Sequence, residues 1–84
     1  MTHHAAPEYW GAYRSLPANI QTLADRAFAR LKADPYHPSL HFKKIDTVWS
    51  VRVGLHHRAL GIDIKGGVLW FWIGAHADYD RMTG

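Results

Sequence analysis

Residues 48–73 read VWSVRVGLHHRALGIDIKGGVLWFWI, and the recurrence of apolar residues along them decides the fold. In Val48–Val53, Trp49, Val51 and Val53 alternate with Ser50 and Arg52, the period of two expected of a strand with one buried face. Trp49 is therefore core by parity, and Arg52 points to the opposite side. Gly54 begins a turn, and His57–Ile64 forms the next strand. Lys65-Gly66-Gly67 is a tight hairpin connection, because glycine takes the positive φ that short hairpin turns need. Val68–Ile73 is apolar throughout, as in a strand covered on both faces. Connections this short make consecutive strands antiparallel.

Working outward, His41–Ile45 reads as one more strand, with Asp46-Thr47 as a turn. Before Leu40 the period changes. Ile20, Leu23, Ala24, Ala27, Phe28 and Leu31 recur at the i, i+3, i+4, i+7 spacing of one helical stripe, while Gln21, Asp25, Arg26, Arg30 and Lys32 fill the other side. Pro17 opens this helix, and Asp34-Pro35 stops it, since proline has no N–H to donate and disfavours helix at the residue before it. Pro7 suits the first turn of a shorter helix running to about Leu16, with Trp10 and Tyr13 on one side. After Gly74, His76–Arg81 reads as a terminal loop or helical turn. Two helices followed by three or four consecutive strands define an α+β layer pair, one domain over residues 1–84.

The 84 residues leave room for a single core, which in a domain this small is marginal without help. Cysteine is absent, which excludes disulfides, thiolate metal sites and a cysteine nucleophile and suits a reducing cytoplasm. No apolar run approaches the ~20 residues of a membrane span, and Met1-Thr2-His3-His4 lacks the features of a signal peptide, so no membrane association is expected. The net charge of +3 is unevenly placed. Between His41 and Arg58, Lys43, Lys44, Arg52 and Arg58 are opposed only by Asp46, and His41, His56 and His57 lie in the same stretch. A localised basic stripe attracts a polyanion; its bland alternative is a solvated strand face.

Several segments carry a resemblance: Ser15-Leu16-Pro17; His37-Pro38-Ser39-Leu40-His41-Phe42-Lys43-Lys44; Trp49-Ser50-Val51-Arg52-Val53-Gly54; His57-Arg58-Ala59-Leu60; and Trp70-Phe71-Trp72-Ile73-Gly74 with His76 and Tyr79. As a set, and in this order over nearly the whole chain, they resemble the RelE/ParE superfamily of toxins from type II toxin–antitoxin systems, in its ParE-like and HigB-like branches. The resemblance implies an N-terminal helical hairpin packed on a curved antiparallel sheet of three to four strands, whose open face holds the active site. It implies a cytoplasmic toxin neutralised by a cognate antitoxin. Many members cut messenger RNA on the ribosome; ParE-type members poison DNA gyrase instead. Members normally begin with a full edge strand. Here only Thr2–Ala5 is available for it, so that strand is expected to be short or absent.

Cutting RNA without a metal needs a base for the 2′-OH, an acid for the leaving 5′-oxygen, and cations for the extra negative charge. Arg52 and Arg58 suit the last task, since a guanidinium grips two phosphate oxygens and keeps its charge. By resemblance they match basic positions on the second strand and at the start of the third. His76 is the candidate proton carrier, because an imidazole titrates near neutrality. Tyr79, three residues on, would share its face in a helical turn and stack on a base. Asp78 would orient a histidine or arginine. Lys43 and Lys44 would hold substrate phosphates, although only one can face the site because strand neighbours alternate. The same ambiguity holds for His56 and His57.

Each assignment has a structural counterpart: arginines paired with Asp63, Asp78 or Asp80, His76 capping a strand, Tyr79 closing the core against Trp72. No histidine pair at H-x-x-x-H spacing has a third carboxylate in the expected context, and cysteine is absent, so neither metal nor other cofactor is expected. Apolar side chains of 70–73 on the open side would form a docking surface for an antitoxin segment. The function expected is thus a metal-independent endoribonuclease toxin whose partners are mRNA, the ribosome and an antitoxin. The alternatives are a non-enzymatic gyrase inhibitor and an inactive homologue that only binds its antitoxin.

Overall fold

The computed structural model describes residues 1–83. A strand β1 (Thr2–Ala5) leads into helices α1 (Pro7–Arg14) and α2 (Ala18–Ala33). A 3-10 turn at Pro38–Leu40 precedes strands β2 (Lys43–Ile45), β3 (Val48–Val53), β4 (His57–Ile64) and β5 (Gly67–Ala75), and α3 (His76–Thr83) closes the chain. The fold class is α+β, as the change of period along the sequence implies.

Both long helices begin and end where proline dictates. α1 has Pro7 in its first turn, Glu8 beside it and Arg14 in its last turn, charges that complement the helix dipole. It stops at Arg14, slightly short of the expected Leu16, and Ser15 N–H and Leu16 N–H close the end onto the Ala12 and Tyr13 carbonyls respectively. α2 starts after Pro17 and breaks at Asp34, which Pro35 holds in an extended conformation. Its stripe is the expected one: Ala24 and Leu31 are buried, with Leu23, Ala27 and Phe28 packed around them.

The sheet has five strands in the order β1-β5-β4-β3-β2. β2 to β5 form the expected antiparallel meander. The edge strand, expected to be short or absent, is present: four residues run parallel to β5, pairing Thr2 with Gly67 and Ala5 with Trp70. The sheet therefore exceeds the three to four strands expected, and it is not wholly antiparallel. Two contacts fix β1. A Cβ on Gly67 would lie 2.1 Å from the Thr2 carbonyl oxygen, so only glycine lets the strands close up there. His3 is buried, and its Nδ1 accepts a hydrogen bond from Trp70 Nε1 at 3.2 Å, with Phe28 and Phe42 edge-on to the imidazole. Burial foremost, then the N-terminal amine, Lys32 and His4, lower the His3 pKa from its ordinary value.

One further boundary differs from expectation. His41 does not start β2: it takes a left-handed conformation (φ 45°) after the 3-10 turn, and the strand begins at Lys43. Of the loop or helical turn expected from His76 onward, the structure has the helix, two turns long.

α1 and α2 cover one face of the sheet. Val51, Val53, Ala59, Val68, Trp70 and Ile73 meet Tyr9, Ala24 and Leu31 there, with Trp49 packed at the margin. Each large apolar side chain so buried contributes about 1.5–3 kcal/mol. A bulge between Leu60 and Gly61 lets Trp70 pair with Gly61 and Trp72 with Leu60. Trp70 thereby enters the core while Trp72 keeps the opposite face. The arrangement separates a closed, aromatic face from an open one.

Candidate functional site

The register writes the open face as rows of side chains, since cross-strand partners share a side. One row is apolar across four strands: Ile45, Val48, Ile62 and Leu69. The next holds Lys43, Ser50, Leu60 and Trp72. The third places Arg52 directly opposite Arg58, and Arg58 opposite Gly74. The face thus grades from apolar to cationic towards the β3–β4 turn. Gly74 matters to the gradient: a Cβ there would lie 2.4 Å from Trp72 Cζ2, so the indole lies along the sheet beside the arginines only because position 74 has no side chain.

At the cationic end, Arg52, Arg58 and His76 line one hollow of about 250 Å³, together with His41, His57 and Leu55. No carboxylate lines it among the described residues, so it favours an anion. Arg58 is the most constrained member. Its Nη1 donates to the buried Ser50 Oγ at 3.0 Å and its Nε to His76 Nδ1 at 3.1 Å. Accepting through Nδ1 leaves the His76 proton on Nε2, which stands 3.4 Å from Asp80 Oδ2, one helical turn away. The Tyr79 ring stacks on the imidazole, centroids 5.7 Å apart, and the Arg58 guanidinium lies 5.4 Å from the same ring. Arg52 Nε donates to the Gly54 carbonyl at 3.1 Å, and its Nη1 reaches His41 Nε2 at 3.5 Å. The chain His56 O···H–N His76, 2.6 Å long, ties α3 to the β3–β4 turn and sets the imidazole over the hollow.

Of the expected site residues, Arg52, Arg58, His76 and Tyr79 are brought together. Of the two lysines, Lys43 shares the open face with Ser50. Lys44 lies on the other side, bound to Asp63, whose carboxyl is held below the ordinary carboxylate range first by Lys44 and then by Trp49 Nε1. Of the two histidines, His57 lines the hollow, and burial followed by His56 lowers its pKa. The His56 ring is outside the hollow, and its backbone carbonyl is what it contributes. Asp78 orients neither histidine nor sheet arginine; it binds Arg81 on its own helix.

Three participants were not singled out from the sequence. Ser50 was readable by parity with Arg52, and Asp80 by its i+4 spacing from His76 once helix is assumed. His41 had no local signal, because its position depends on a left-handed turn. Among the described residues no group of three His, Asp or Glu side chains is placed to hold a metal ion. None of the helices there is long and apolar enough to cross a membrane.

No protein-family model matches the chain, and no curated protein sequence matches it. Solved structures do. The RelB–RelE antitoxin–toxin complex from Methanococcus jannaschii aligns with a TM-score of 0.73 at 12% identity, over 96% of this chain and 99% of that one. The YoeB/ParE toxin from Agrobacterium tumefaciens aligns with a TM-score of 0.67 at 15% identity, over 90% and 99% of the two chains. The toxin–antitoxin complex RelBE2 from Mycobacterium tuberculosis aligns with a TM-score of 0.64 at 20% identity, over 92% of each. The chain therefore has the RelE-like fold, over essentially the full length of the chains it resembles.

Proposed function

We propose that the protein is the toxin of a type II toxin–antitoxin pair and a metal-independent endoribonuclease that cuts mRNA on the ribosome in the cytoplasm. The observation that carries the reading is the convergence of Arg52, Arg58 and His76 on one anion-favouring hollow. An RNA phosphate entering it would draw the Arg58 guanidinium onto its oxygens. His76 Nδ1, now released from Arg58, would accept the 2′-OH proton as that oxygen attacks phosphorus. The imidazolium then passes that proton to the leaving 5′-oxygen, giving a 2′,3′-cyclic phosphate and a 5′-hydroxyl. Arg52 and Arg58 would bind the equatorial oxygens as charge builds, a contribution of about 10²–10³ in rate for one well-placed donor. Asp80 would hold the imidazole in the tautomer that leaves Nδ1 free. Tyr79 would stack on the adjacent base, and Lys43 and His57 would steer the backbone.

The apolar row supports the antitoxin half of the proposal. Ile45 and Ile62 remain 45% and 42% exposed in a row that continues through Val48 and Leu69. A row of this kind suits the apolar side chains of a partner segment laid across the strands. One row, that of Lys43 and Trp72, separates it from the arginines, so one segment laid across the face would cover both.

The test is induction in bacteria of the wild type and of Arg58→Ala and His76→Ala, with folding checked by circular dichroism. Arrest by the wild type and growth with both folded variants is the expected result. Arrest by both variants removes these residues from the mechanism. Arrest that survives only His76→Ala, with loss of DNA supercoiling, transfers the reading to a gyrase inhibitor.

A further inference from the structure

A second hollow of about 410 Å³ adjoins the first, between α2 and the β3–β4 turn. Its floor is apolar, made by Leu23, Leu40 and Leu55, and three guanidinium groups line it: Arg26 and Arg30 of α2, one turn apart, and Arg52 of β3. No carboxylate lines it among the described residues, and Asp25, the neighbour of Arg26, is turned away to bind the Tyr13 hydroxyl. Arg52 and Leu55 line both hollows, so the two are continuous across them. Leu55 is 76% exposed, an apolar side chain standing at the junction with nothing of this chain over it.

The chemistry asks for a ligand with charge on one side and a flat apolar body on the other. Arg30 is held in place by its Nη1 bond to Ser39 Oγ at 3.2 Å, and Ser39 Oγ is held in turn by His37 Nδ1 at 2.8 Å. Arg26 has no hydrogen-bond or ion-pair partner among the described residues. Such a fixed and an unpaired guanidinium, side by side above leucines, fit the phosphate and the ring of a nucleotide. An acidic peptide would satisfy the cations but not the leucine floor.

We infer that the second hollow is a subsite for single-stranded RNA: the strand passes from the Arg58–His76 hollow over Leu55 and seats a flanking nucleotide with its phosphate on Arg26, Arg30 and Arg52. The inference rests on the nuclease reading for the direction of the strand, but its test is binding alone. A short single-stranded RNA of mixed sequence, 2′-O-methylated throughout so that it binds without being cut, is titrated by fluorescence anisotropy over a range of salt. The double variant Arg26→Gln, Arg30→Gln is compared with the wild type and with Lys65→Gln, which lies in the turn at the opposite end of the sheet.

Each phosphate neutralised on a single strand contributes about 0.7 to the slope of log affinity against log salt. The double variant is expected to lower that slope by about 0.7 and weaken binding roughly tenfold near 0.1 M salt, with Lys65→Gln unchanged. If the wild type binds and the double variant keeps its slope, the subsite is overturned while the nuclease reading stands. Failure of the wild type to bind RNA overturns both. Retained RNA slope with lost binding of a poly-glutamate peptide gives the hollow to an acidic protein segment and overturns the inference. Should the double variant not fold, Arg26→Gln alone, which breaks no bond among the described residues, is expected to lower the slope by about half as much.

Discussion

The two faces of the sheet each hold a histidine whose Nδ1 accepts a hydrogen bond from a neighbouring side chain, His3 from Trp70 and His76 from Arg58. The geometry is nearly the same, 3.2 and 3.1 Å, and the surroundings are opposite. His3 sits among Phe28, Phe42 and Trp70, with Lys32, His4 and the N-terminal amine as the charges acting on it, all of one sign. Protonation there would destroy the one hydrogen bond that Trp70 Nε1 makes among the described residues and bury a charge among cations. His76 is exposed, with a carboxylate near its second nitrogen and an arginine that a phosphate can draw away. The same acceptor atom is a staple on one face and a proton acceptor in waiting on the other. Burial and the sign of the neighbouring charge decide which.

Substitutions can break this contrast. The largest effect is expected for Arg58→Ala: RNA cleavage should fall by at least about 10²–10³ with the fold kept, measured by single-turnover kinetics beside circular dichroism. His76→Ala follows, with a loss of about 10² expected of a removed proton carrier and a flattened pH–rate profile. On the closed face the ordering reverses. His3→Leu leaves the buried Trp70 N–H without an acceptor, a loss of about 1–3 kcal/mol. That corresponds to a drop of roughly 5–15 °C in melting temperature for a domain of this size. Cleavage per folded molecule should be unchanged.

The sign of the pH dependence follows from the same environment. His3 and His57 both have pKa values below the ordinary 6.5, so between that value and the lower folded one the unfolded chain binds more protons. Stability is complete above this window and falls as the pH drops through it. Thermal melts from pH 8 to pH 5 should show the decline, and His3→Leu should flatten it. A wild-type melting temperature that rises on acidification would contradict the assignment of His3 as a neutral acceptor. The smallest effect is expected for Lys44→Ala, whose partner Asp63 lies off the open face: cleavage should stay within about twofold, as for an exposed ion pair distant from the chemistry.

How much of this was legible in the sequence depends on range. The α2 stripe and the alternation of β3 are local periods, and they placed Arg52 on the open face and Trp49 against the core. Arg52 and Arg58 were matched to the site by resemblance, and the structure sets them opposite each other across a short turn. Non-local features were not readable. β1 has four residues, three of them polar, and its partner β5 lies more than sixty positions away, so no period could announce it. Lys43 and Lys44 could be told to face opposite ways but not which way, because that depends on where β2 starts, and the left-handed His41 moves the start. Asp78 was preferred to Asp80 for the same reason. The phase of α3 had to be known before i+4 could be chosen over i+2.

The central claim is that the cluster of Arg52, Arg58 and His76 acts on an RNA phosphate. It is tested most directly by inducing the chain in bacteria and mapping transcript ends with translation running and with translation blocked. The expected result is new ends bearing 2′,3′-cyclic phosphates inside translated regions, absent when translation is blocked and absent with Arg58→Ala. Growth arrest with no new transcript ends, or with ends that persist in the Arg58→Ala strain, would contradict it.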